Sequence, residues 1–92
     1  MTTAADPVVA AMREEITALD IRLVETINAR LRTVEKLRRY KAQHGIALFD
    51  PDRESWLLEH LTRTNNGPLS EGGLQELVEF VLGLVKRELA DA

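Results

Sequence analysis

The chain contains no cysteine, so neither a disulfide framework nor a thiolate metal site is open to it. Aromatic residues are scarce: one Trp, one Tyr and two Phe make up 4% of its 92 residues. Its core must therefore come from Leu, Val, Ile and Ala, within a hydrophobic content of 45%. Proline and glycine are sparse, and neither occurs between Val8 and His44. No segment approaches the ~20 consecutive apolar residues that would cross a bilayer. The opening MTTAADP lacks the basic region and apolar run of a signal peptide, so a soluble cytoplasmic protein is expected. There is no Gly-rich phosphate loop and no Ser/His/Asp arrangement. His44 and His60 show no metal-ligand spacing, so no metal site is expected.

What is present is a single small domain with an uneven charge. The net charge is −3, yet Val8 to Lys41 holds eight Lys/Arg against five Asp/Glu. The rest of the chain holds four against ten. An acidic protein with one basic stripe is a poor general nucleic-acid binder, but it can hold a compact anion.

Asp6-Pro7 reads as a helix start, with Asp6 as N-cap and Pro7 in the first helical position. Apolar residues then recur in steps of three and four at Met12, Ile16, Leu19, Leu23, Ile27, Leu31, Val34 and Leu37. Gly45 stands where a C-terminal cap belongs. Asp50-Pro51 opens a second helix, which Asn65-Asn66-Gly67-Pro68 stops. Ser70 with Glu71 caps a third, weakened at its first turn by Gly72 and Gly73. The expectation is an all-α chain with helices over about 8–44, 51–64 and 70–89, long, short and medium, and no strand. Residues 1–7 are expected to be a flexible lead-in to a domain over 8–92. A first helix on the order of 50 Å long outreaches a globule with a radius of gyration of roughly 12 Å, so its apolar stripe needs outside cover. A homodimer is the simplest source.

Arg30 and Lys41 lie eleven residues apart on that helix, almost three whole turns, so they share a stripe about 16 Å long. Arg13 is seventeen residues before Arg30 and is rotated by about 260° from it, so within one subunit it cannot share a small ligand with that pair. In an antiparallel dimer it could reach the partner's site. The bland account is a solvated basic run, Arg30, Arg32, Lys36, Arg38, Arg39 and Lys41, with Asp50 and Asp52 as ordinary capping residues.

The motifs add up to a family resemblance. Met12-Arg13-Glu14-Glu15-Ile16 with Leu19-Asp20 resembles the "LRxxIxxLD" opening of the all-helical class of chorismate mutases. Ala29-Arg30-Leu31, Tyr40-Lys41 and Phe49-Asp50-Pro51-Asp52-Arg53-Glu54 follow at that family's spacings, and Asn65 to Ser70 is similar to its second connection. The resemblance runs from about Val8 to Leu89. It implies an L-shaped three-helix protomer in an entwined homodimer with two shared sites. The reaction it implies is the Claisen rearrangement of chorismate to prephenate in phenylalanine and tyrosine synthesis, with no cofactor, metal or covalent intermediate.

The resemblance also implies roles for residues at matching positions. Arg13 from the partner and Arg30 clamp the two carboxylates. Lys41 donates to the ether oxygen, Arg53 adds positive potential, and Glu54 accepts from the ring hydroxyl beside the backbone N–H of Asp50. Helix three departs from the family pattern. Positions that often carry a small polar residue and a Gln or Glu fall on Val85 and Leu89, or on Leu84 and Glu88 after a shift of one. Glu88 could face the ether oxygen only if burial kept it protonated. Alternative enzymatic readings are a mutase acting on 4-amino-4-deoxychorismate and an isochorismate–pyruvate lyase. The non-enzymatic alternative is a helical dimerisation module, and a regulatory enzyme partner is known for some relatives.

Overall fold

The computed structural model describes residues 6–90, so most of the expected lead-in lies outside the described residues. Three helices follow in order: α1 (Pro7–Gln43), α2 (Pro51–Thr64) and α3 (Glu71–Glu88). Among the described residues there is no strand, and no helix is long and apolar enough to cross a membrane. The long–short–medium order is the expected one. The described residues divide into two compact units, one up to Thr33 and one from Val34 onward.

The first unit is helical from Pro7 onward. Asp6 caps the helix, its Oδ1 accepting from the N–H groups of Val8 at 2.9 Å and Val9 at 3.2 Å. The apolar stripe then goes uncovered: Val8, Met12, Ile16, Leu19 and Leu23 are each 56–60% exposed. No residue of α1 is buried. Helices gain most of their stability by burying an apolar face, and the stretch from Val8 to Leu23 keeps its face in water.

The second unit holds the end of α1 together with α2 and α3, which pack on each other. Leu74, Val78 and Leu89 are its buried side chains. Asp50 Oδ1 accepts from the Arg53 N–H at 3.1 Å, and Ser70 Oγ accepts from the Gly73 N–H at 3.0 Å. A Cβ at Gly73 would lie 2.9 Å from Leu69 Cδ1, the free end of a side chain that can turn aside to admit it. Arg38 Nη1 donates to the Leu89 carbonyl, one of the carbonyls that a helix end leaves unpaired. Removing a charged donor from a part-buried acceptor costs about 1–3 kcal/mol. Arg38→Met is therefore expected to lower the thermal midpoint by at least about 4 °C. A circular-dichroism melt checks this, and an unchanged midpoint would remove Arg38 from the account of the fold.

Candidate active site

The end of α1 is shaped by Gly45. Its φ of 66° is a left-handed backbone conformation, which glycine adopts without a steric penalty. The chain therefore folds back, and the Ile46 N–H donates to the Lys41 carbonyl at 2.9 Å, the longer bond of a Schellman motif. This ties down the backbone at Lys41 in the last turn of α1, where the helix dipole favours a cation. The Lys41 side chain is half-buried and forms no ion pair among the described residues.

At the start of α2, capping brings three expected residues into one turn. Asp50 is the N-cap, and Pro51 supplies the preset first helical position. The Arg53 guanidinium lies over the Trp56 ring, 4.5 Å from its centroid. Trp56 in turn stacks on His60 with centroids 4.6 Å apart. Glu54 is half-buried and points its carboxylate to the last turn of α3, where Lys86 Nζ is 3.4 Å from Oε2. The Lys86 ammonium also lies 5.4 Å from the centroid of Phe49.

α3 places its candidates unequally. Val85 is half-buried and Leu89 buried, whereas Glu88 is exposed. Leu84, of the shifted register, is half-buried as Val85 is.

In the first unit, Arg30 is half-buried, and its Nη1 is buried with no hydrogen-bond partner among the described residues. A buried donor left unpaired is costly and calls for an explanation. Arg13 is exposed and borders a shallow hollow with Glu14, Thr17, Ala18 and Ile21. A second hollow, lined by Glu35, Arg38, Arg39, Ala42 and Leu48, contains none of the expected residues. His44 stacks on Tyr40 at 4.0 Å. No group of three or more His, Cys, Asp or Glu that could hold a metal ion occurs among the described residues.

The second unit therefore gathers Asp50, Arg53 and Glu54 at one helix start and joins Glu54 to α3. It also adds Lys86, a residue that periodicity did not single out. The family model described as chorismate mutase type II matches residues 12–88. The chain belongs to this family. The match takes in Arg13, Arg30, Lys41, Asp50, Arg53 and Glu54, and extends through Glu88. A bifunctional chorismate mutase/prephenate dehydratase of Pseudomonas aeruginosa is 31% identical over 77 residues, 78% of this chain and 21% of that protein. Its counterpart in Stutzerimonas stutzeri is 30% identical over 78 residues, with the same shares of 78% and 21%. The chain thus spans about a fifth of the length of these two family members. A 4-amino-4-deoxychorismate mutase of Streptomyces venezuelae is 33% identical over 73 residues, 77% of this chain and 70% of that protein. The solved chorismate mutase of Thermus thermophilus superposes with a TM-score of 0.80 at 25% identity, covering 84% of this chain and 96% of that one.

Proposed function

We propose that this chain is a chorismate mutase that converts chorismate to prephenate. The observation that carries the reading is the state of its two central cations. Arg30 has a buried, unpartnered guanidinium nitrogen, and Lys41 is half-buried without an ion pair among the described residues. Cations held away from protein carboxylates are suited to a substrate that brings its own two.

The rearrangement is unimolecular. One ether C–O bond breaks as a C–C bond forms, and no group is transferred to the protein. The protein's part is to hold the reactive conformer and to meet the negative charge that grows on the ether oxygen. In this reading Arg30, with Arg13 from a second copy, clamps the carboxylates through planar guanidinium forks. Lys41 donates to the ether oxygen. Arg53 raises the local positive potential. Glu54 accepts from the ring hydroxyl, on the side of the Asp50 N–H. Val85 and Leu89 form an apolar wall, and Glu88 is left in solvent.

We further propose a homodimer. The exposed stripe from Val8 to Leu23 supports it, since a second copy is the simplest cover for a helix face that its own chain leaves bare. The dehydratase named in two relatives supports an enzymatic partner downstream of prephenate.

A second reading, a mutase acting on 4-amino-4-deoxychorismate, is favoured by the Streptomyces relative. The test is disappearance of chorismate with the purified chain, the product being identified, beside the amino and iso analogues. Prephenate is the expected product. Pyruvate released from isochorismate, or turnover of the amino substrate alone, would move the reaction to that alternative. No turnover of any of the three would leave a helical dimerisation module.

A further inference from the structure

We propose that Lys86 sets the choice of ring substituent, selecting a neutral hydroxyl over an ammonium. The inference rests on the mutase reading above and deepens it. Its starting observation is the ion pair between Lys86 Nζ and Glu54 Oε2 at 3.4 Å, which joins the last turn of α3 to the first turn of α2. The Phe49 ring lies 5.4 Å from the same ammonium and provides a second, aromatic contact for it. Glu54 is the acidic residue that the mutase reading puts at the ring substituent. In this chain it carries a resident cation.

That changes what the carboxylate can accept. A carboxylate has two oxygens with about four lone-pair sites. With one oxygen facing Lys86, the other still accepts a hydrogen bond from a neutral hydroxyl. An amine in the hydroxyl's place is an alkyl amine, protonated near neutral pH as the Lys side chain is. To bind Glu54 it must bring a second positive charge within a few ångströms of the Lys86 ammonium, to a carboxylate whose charge is already matched. Attraction to Glu54 is then offset by repulsion from Lys86, and selectivity comes from the repulsive element. The Lys86 and Glu54 side chains are 48% and 36% exposed, so water screens the interaction and the discrimination is moderate. Val85 precedes Lys86 and is apolar, so it supplies no hydrogen bond by which either substituent could be told apart.

The test compares kcat/KM for chorismate and for 4-amino-4-deoxychorismate in the full chain, in Lys86→Met and in Lys86→Arg. A general electrostatic or structural loss in Lys86→Met lowers both constants and cancels in their ratio. The wild type is expected to prefer chorismate. In Lys86→Met the ratio is expected to fall by about 2- to 5-fold toward the amino substrate. Lys86→Arg, which keeps the charge, is expected to hold the ratio near its wild-type value. Circular-dichroism spectra confirm that the variants are folded, and a misfolded Lys86→Met is replaced by Lys86→Gln in the same comparison. A wild type that prefers the amino substrate, or a ratio unchanged in the folded neutral variant, overturns the role of Lys86 while leaving the mutase reading in place. A wild type inert toward both substrates overturns the mutase reading and this inference with it.

Discussion

Lys41→Ala is expected to reduce kcat/KM for chorismate by about 10²–10³-fold, the usual cost of losing one donor aimed at a developing oxyanion. The expectation follows from where the chemistry concentrates charge. The carboxylates are charged before and after the rearrangement, so cations that meet them contribute to binding as well as to rate. The ether oxygen gains charge only as its bond breaks, so a donor there acts mainly on the transition state. The loss should therefore fall chiefly on kcat, with KM changed much less. Lys41→Arg should recover little, since a planar fork does not replace a compact ammonium at one oxygen. Folding should survive the change, because the Schellman turn is made by the Lys41 carbonyl and the left-handed Gly45, both kept in the alanine variant. Steady-state kinetics on the folded variant checks this. An activity within a few-fold of wild type would take Lys41 out of the mechanism and favour a solvated basic face.

The helices were legible in the sequence because their punctuation is local. Asp6-Pro7, Gly45, Asp50-Pro51 and Ser70 each act within a few residues of themselves, and the helices end within about one residue of where those signals place them. In sequence Gly73 shows only as a weak point, because its close approach to Leu69 depends on how the connection folds back. Two local stacks, Tyr40 on His44 and Trp56 on His60, were within reach, since residues four apart share a helix face. The site was legible only in part. Asp50, Arg53 and Glu54 fall in one helical turn and could be read as a group. The pairing of Glu54 with Lys86 and the bond from Arg38 to the Leu89 carbonyl join residues 32 and 51 positions apart. No periodicity encodes such partners, because they depend on how whole elements pack. The register of α3 was open for the same reason. Leu89 and Glu88 are neighbours in sequence, and burial alone separates them.

Mixing two inactive chains, Arg13→Ala and Lys41→Ala, is expected to restore about one quarter of wild-type activity. The reasoning starts from the α1 stripe, whose exposed Met12 and Ile16 flank Arg13 in sequence. If a second copy covers this stripe, Arg13 comes to an interface, and the helix arithmetic that separates it from Arg30 in its own chain either excludes it from the site or sends it to the partner's. In a heterodimer one site then receives an intact Lys41 and an intact partner Arg13, while the other receives neither. Random exchange makes about half of the dimers heterodimers, each with one working site, hence about a quarter of all sites. Subunits are exchanged by unfolding and refolding the mixture, and a differently tagged copy of each chain proves heterodimers of twice the mass of one chain. Recovery on mixing, with none in either chain refolded alone, would establish that Arg13 acts across the interface. Heterodimers without recovery would confine each site to its own subunit and return Arg13 to the solvated surface. A single-chain mass for the wild type would remove the shared site altogether, and with it the reason the stripe from Val8 to Leu23 is apolar.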